Sequence, residues 1–200
     1  MNNKKIVKNF RAVISEIADY FGEENKKEIE KRAKRIKIKI INNEDPRYEQ
    51  LKEEPICVKR AGYTGLILSD DMLNHKNANN MIVHGLVHAL GEENFIVDDK
   101  DYFNEVVVDY ISNEICKRLE EKDINLGYSD YPTYESNSLY SKYFGMIENF
   151  FVANKKNILK ARLSSNFKMS DSMKEIIVRV QEKIDSYKEE KINLSLSKGR

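Results

Sequence analysis

Residues 79–90 read NNMIVHGLVHAL, a stretch that is apolar on nearly every side of a helix. A helix with this pattern is buried, so the stretch predicts the centre of the core. Gly91 follows it and provides a C-terminal stop. His84 and His88 are four residues apart, which places both imidazoles on one face with their Cβ atoms about 5–6 Å apart. The pair is either suited to hold a metal ion or consists of ordinary core histidines that hydrogen-bond to their neighbours.

A second apolar helix, predicted over residues 102–120, carries two carboxylates at the same spacing. Glu105 and Asp109 are four residues apart, so both leave one face of the helix. Buried carboxylates are rare unless they are paired or bind a metal, and three valines separate these two. If the helices pack side by side, Glu105 becomes a third ligand and Asp109 accepts the outer N–H of a ligating imidazole. The alternative is a solvated carboxylate face.

The segment 35–69 predicts a small sheet. Isoleucines alternate with basic residues over 35–40, which is typical of a half-buried strand. Two further apolar runs, 55–60 and 63–69, are separated by Ala61-Gly62 and indicate a hairpin or a sheet edge. Other helices are predicted over 6–21, 24–34, 134–160 and 171–188. The expected fold is α+β, with a sheet of about three strands packed on a mainly helical body. We expect one domain over residues 1–190 and a flexible tail over 191–200.

The composition argues against several classes of protein. The 200 residues include 34 Lys and Arg against 33 Asp and Glu, so bulk charge does not predict nucleic-acid binding. No segment approaches the roughly 18 consecutive apolar residues of a membrane helix, and charges interrupt the N-terminal segment where a signal peptide would be apolar. Cys57 and Cys116 form no CxxC motif, which predicts free thiols and a cytoplasmic protein. Export without a classical signal would leave the same pattern.

The series H-x-x-x-H at 84–88, a short connection and N-E-x-x-x-D at 104–109 resembles the gluzincin branch of the HExxH zinc metallopeptidases. The resemblance implies a zincin-like fold and one Zn²⁺ per chain, held by His84, His88 and Glu105, with Asp109 orienting a histidine. It implies an edge strand that holds an extended peptide or protein substrate. The candidate residues for this strand are Tyr63, Gly65, Leu66 and Ile67. A downstream tyrosine that stabilises the oxyanion is also implied, and the candidates are Tyr134 and then Tyr131.

Gly85 departs from the family motif, because the family has there the glutamate that acts as general base. Loss of a positioned general base costs about 10²–10⁴ in rate, so we expect the chain as written to be inactive or strongly impaired. One explanation is an inactive variant of a working peptidase, which the intact ligand set favours. Another is a pseudopeptidase that binds zinc and a peptide or protein partner without cleaving it. A helical adaptor without metal is the third hypothesis.

Overall fold

The structure, a computed structural model, describes residues 3–48, 55–60, 62–92, 102–130, 132–135 and 141–198. These residues form seven α-helices, a short 3-10 helix at Ser141–Tyr143 and a three-stranded sheet. The α-helices are α1 (Asn3–Phe21), α2 (Glu23–Ala33), α3 (Asp70–Asn74), α4 (Ala78–Leu90), α5 (Tyr102–Glu121), α6 (Phe144–Arg162) and α7 (Asp171–Lys198). The strands are β1 (Ile36–Ile41), β2 (Ile56–Arg60) and β3 (Tyr63–Ser69). The predicted α+β class, with a small sheet and a mainly helical body, is confirmed.

Two helices differ in length from the prediction. The helix expected over 134–160 begins at Phe144, and the described residues 132–135 are not helical. Helix α7 continues to Lys198, past its predicted end at 188 and through part of the segment for which a tail is predicted. The division into one domain and a tail stays a prediction.

β3 is the central strand of the sheet, with β1 and β2 on its two sides. β2 and β3 form the predicted antiparallel hairpin, and Gly62 between them has a φ of 87°, which glycine adopts readily. β1 runs parallel to β3. The expectation that residues 63–69 form an edge strand is therefore wrong, because β3 is hydrogen-bonded to a neighbouring strand on each side.

The isoleucines of β1 are less buried than their alternation predicts. Ile41 is 4% exposed, whereas Ile38 and Ile40 are 39% and 37% exposed. β1 is an edge strand, and its face next to α1 is only partly covered. An apolar groove of about 420 Å³ remains there, and its lining includes Phe10, Ile14, Ile36, Ile38 and Leu86.

Helix α4 lies at the centre of the core, as its sequence predicts. Its residues Ile82, Val83, Leu86 and Val87 are 0% exposed. One side of α4 packs against α5, and another packs against β2 and β3. On the side of the sheet, Gly85 lies close to Pro55 and Leu66. The core thus holds α4 rigidly between the sheet and α5.

A buried asparagine ties the first turn of α4 to the segment that follows α5. Asn79 is 0% exposed, donates to the Ile124 carbonyl at 3.2 Å and accepts from the Leu126 N–H at 2.7 Å. The side chain thereby satisfies backbone groups that have left the helical pattern. This tie joins the start of α4 to the chain just after the end of α5.

Both cysteines are free thiols, as predicted, with Cys116 buried and Cys57 half-buried. Burial raises the pKa of the Cys116 thiol above its ordinary value, so the group stays protonated at neutral pH. Within the described part of the chain, no helix combines the length and the apolar character that crossing a membrane requires.

Candidate metal centre

Helices α4 and α5 bring together the three side chains that the sequence predicts as ligands. His84 and His88 project from one face of α4 with their ring centroids 4.8 Å apart. Glu105 lies in the first turn of α5. The three side chains are 19%, 13% and 17% exposed, respectively, so solvent reaches each of them although all are mostly buried.

The donor atoms of this trio form a nearly equilateral triangle. His84 Nε2 and His88 Nε2 are 3.2 Å apart, and Glu105 Oε2 lies 3.3 Å from each of them. A tetrahedral site with metal–nitrogen bonds of about 2.0–2.1 Å holds its ligand atoms about 3.3–3.4 Å apart. The triangle therefore has the dimensions of one face of such a site, and the trio can hold a metal ion.

Asp109 lies behind His84, as the spacing on α5 predicts. Its Oδ1 is 3.4 Å from His84 Nδ1, and its side chain is 0% exposed. A proton on Nδ1 that is directed at this carboxylate leaves Nε2 unprotonated in the neutral imidazole. Asp109 thereby selects the tautomer in which Nε2, the atom nearest Glu105, can bind a metal.

Protons and a metal ion compete for the atoms of this cluster. Burial lowers the pKa of His84, but hydrogen bonds with Asp109 and Glu105 outweigh it and raise the pKa to about 9. Burial raises the pKa of Glu105, but hydrogen bonds from His84 and His88 outweigh it and hold that pKa well below its usual range. At neutral pH the metal-free cluster is therefore an imidazolium–carboxylate pair. A metal ion that binds there displaces the His84 proton.

Position 85, where the resemblance to gluzincins implies a general base, is closed by its neighbours. A Cβ at position 85 would lie 2.6 Å from Pro55 Cγ and 2.9 Å from Leu66 Cδ1, both shorter than a normal carbon–carbon contact. Glu92, just past the end of α4, is bound to α2, with its Oε1 2.9 Å from Arg32 Nη1. Neither position provides a carboxylate that could take a proton at the trio.

The residues predicted to bind a peptide do not lie on a sheet edge. Tyr63, Gly65, Leu66 and Ile67 all belong to β3, which has a hydrogen-bonded neighbour on each side. Leu66 is 0% exposed and packs beneath α4. Among the described strands, β2 is an edge strand that packs against α4.

Tyr134 is not brought to the trio. Burial raises the pKa of its hydroxyl, as do Asp123 and Glu120, and its hydrogen bond is with Asn79. Glu120 follows Glu105 by fifteen residues, which is about 22 Å along a helix. Tyr134 therefore packs at the far end of the α4–α5 pair. Tyr131 lies outside the described residues, so its role stays a prediction.

Two buried residues beside the trio have no role assigned from the sequence. Asn104 and Arg162 are 1% and 0% exposed, and Arg162 Nη1 donates to Asn104 Oδ1 at 2.5 Å. Asn104 is adjacent to Glu105 in the motif, which is a weak signal. Arg162 is one of 34 basic residues and belongs to a distant helix, so no local pattern marks it.

Comparison of the chain with protein-family models, with curated proteins and with solved structures found no match. The chemistry of the trio is therefore inferred from its own atoms and their surroundings. Two imidazoles and one carboxylate, converging at 3.2–3.3 Å in a mostly buried position, form a donor set for a divalent metal ion.

Proposed function

We propose that this chain binds one zinc ion at a zincin-like centre made by His84, His88 and Glu105. The donor triangle, with edges of 3.2–3.3 Å, carries the proposal. Two imidazoles and one carboxylate are the protein ligands of zinc sites that keep a fourth position for water or substrate. The residual exposure of all three side chains supports such an open position.

The order and roles of the residues support the likeness to gluzincins. The histidines come from one helix, the glutamate from the next, and Asp109 from one turn further along that helix. Zinc, when bound, supplies a Lewis acid that polarises a carbonyl oxygen. The chain's own contribution is to hold the three donors at fixed spacing and to keep the proton of His84 on Nδ1, directed at the Asp109 carboxylate.

We further propose that the centre binds a peptide or protein partner without cleaving it. If a catalytic glutamate at position 85 had been replaced without other changes, the room for its side chain would remain. At Gly85, however, Pro55 and Leu66 fill the space that even a Cβ would need. This close packing favours a pseudopeptidase over a recently inactivated enzyme.

A zinc peptidase inactivated at position 85 is the second candidate. It is favoured by the buried Asp109 carboxylate behind His84 and by the exposure of the trio. An ion that serves only to stabilise the fold is normally enclosed by four protein ligands.

Metal analysis and titration test the zinc site. Purified protein should bind one zinc per chain in competition with a chromophoric chelator, and His88→Ala or Glu105→Ala should weaken binding at least 100-fold. His75→Ala is the matched control, because His75 is exposed and bonds to the backbone of Asn77. Less than about 0.2 zinc per chain, unchanged by added zinc, would contradict the proposal.

A restored glutamate tests whether the centre cleaves peptides. Gly85→Glu combined with Pro55→Gly provides the carboxylate and removes the side chain that lies closest to position 85, and the same pair with His88→Ala is the control. We expect no cleavage of a peptide library by any of these variants, while a peptide hydroxamate binds the zinc-loaded wild type and not its metal-free form. Cleavage that depends on His88 and exceeds the wild-type rate by about 10²–10⁴ would establish the inactivated peptidase instead.

A further inference from the structure

Arg162, the last residue of α6, is buried between the two helices that carry the ligands. It is 0% exposed, and its guanidinium is bonded to both of those helices. Nη1 donates to Asn104 Oδ1 at 2.5 Å on α5, and Nη2 donates to the Val87 carbonyl at 3.3 Å on α4. One rigid planar group therefore connects α4 to α5.

Each of these two contacts lies next to a predicted metal ligand. Val87 precedes His88, and Asn104 precedes Glu105. The trio places His88 Nε2 3.3 Å from Glu105 Oε2, and this distance depends on the separation of the same two helices. The bridge through Arg162 thus spans the helix pair at the level where the metal ligands meet.

The end of α4 is shaped to admit the guanidinium. A Cβ at position 91 would lie 2.6 Å from Arg162 Nη2 and 2.9 Å from Arg162 Nε, so only glycine leaves room there. The backbone of Arg162 adds a second connection, because its carbonyl accepts from the Glu92 N–H at 2.5 Å. Glycine at 91 therefore ends α4 and also allows the arginine to reach it.

We propose that Arg162 is a positioning residue of the metal centre, which holds α4 and α5 at the separation at which His88 and Glu105 share one ion. This inference rests on the proposed zinc site. Arg162 acts through Asn104 and the Val87 carbonyl and does not touch the ion. Arginine suits this position because its planar fork presents several donors in fixed directions, which a lysine ammonium does not.

Metal affinity and the cobalt spectrum together test this role. Arg162→Met and Asn104→Leu each remove the bridge, whereas Asn104→Asp keeps an oxygen acceptor for Nη1. We expect the first two variants to weaken zinc binding by about 10–100-fold and to change the d–d absorption of the cobalt-loaded protein. Asn104→Asp should keep the wild-type zinc affinity and the wild-type cobalt spectrum. Asn79→Ala is the matched control, since it removes a buried tie of α4 at the end remote from Arg162.

The outcomes separate this inference from the proposed function. Wild-type affinity and an unchanged cobalt spectrum in Arg162→Met would overturn the positioning role, as would an equal loss in Asn79→Ala. If Arg162→Met does not fold, the comparison of Asn104→Leu with Asn104→Asp decides in the same way. A wild-type protein that binds neither zinc nor cobalt would instead refute the proposed function, and the positioning role with it.

Discussion

A methyl group at position 85 would lie 2.6 Å from Pro55 Cγ and 2.9 Å from Leu66 Cδ1. Glycine in a helix interior costs about 1 kcal/mol relative to alanine, so propensity alone would favour Gly85→Ala. The buried surroundings reverse this preference, because inserting a carbon into a packed core costs about 1–3 kcal/mol. Gly85 therefore permits the close approach of α4 to the sheet.

We predict that Gly85→Ala lowers the free energy of unfolding by up to about 2 kcal/mol, because the packing cost of about 1–3 kcal/mol is offset by only about 1 kcal/mol of helix propensity. Urea unfolding followed by circular dichroism measures the change. Gly145→Ala is the matched control, because Gly145 also lies in a helix but a Cβ there meets no atom within 4 Å. That variant should be neutral or more stable by up to about 1 kcal/mol. Equal effects of the two substitutions would show that Gly85 has no packing role.

At the level of single residues, the sequence predicts the trio and Asp109 but not their supports. Residues four apart on a helix must share a face, so each pair could be placed without knowing the fold. One assumption, that the two helices are neighbours, then completes the site. Pro55 and Arg162 could not be predicted, because they reach the site from distant elements and no local periodicity marks them.

At the level of elements, β3 shows where pattern analysis fails. Its apolar residues and the turn at Gly62 correctly predict a hairpin with β2, since both features are local. Whether β3 is an edge strand depends on β1, which pairs with it in parallel across more than twenty residues of intervening chain. The same missing information explains β1, because the helices cover it only in part: Ile38 lines an apolar groove, and Ile40 is also exposed.

The tie between α4 and the segment after α5 provides a prediction at this scale. Asn79→Ala removes the hydrogen bonds of the side chain with Ile124, Leu126 and Tyr134, and it leaves the buried Leu126 N–H without its acceptor. We expect a loss of about 2–3 kcal/mol in the free energy of unfolding. Asn74→Ala, at an exposed asparagine that bonds to the Asp70 carbonyl, should change it by less than about 0.5 kcal/mol. Similar losses in both variants would argue against a special role for Asn79.

At the scale of the whole molecule, the core of α4 and α5 and the candidate metal centre are one structure. The apolar faces of these helices pack against α1, α6, α7 and the sheet, while their polar faces meet at the trio. The sequence predicts this division because both helices are largely apolar and the four site residues recur on them at helical spacing. The other fully buried polar residues of the two helices are Asn79, Asn80, Asn104 and Ser112. A zinc ion bound at the trio would therefore stabilise the whole fold, by about 2.7 kcal/mol at a free concentration one hundred times its Kd.

The pH dependence of stability should differ between the metal-free and the zinc-loaded protein. The pKa of His84 is raised from 6.5 to about 9 in the folded metal-free state, so its contribution is complete below pH 6.5 and is lost as the pH rises through 9. The pKa of Glu105 is lowered from 4.5, so its contribution is present above pH 4.5 and is lost on acidification. Zinc binds the unprotonated imidazole, so the stabilisation by zinc grows over the pH interval in which the His84 contribution to the metal-free protein is lost.

Urea unfolding at pH 6.5, 7.5 and 8.5, with EDTA or with saturating zinc, measures the free energy of unfolding of the two forms. The gap between these two free energies should widen as the pH rises. In His84→Gln the gap should be small at every pH, and a wild-type gap that stays constant or narrows would contradict a metal that binds through His84.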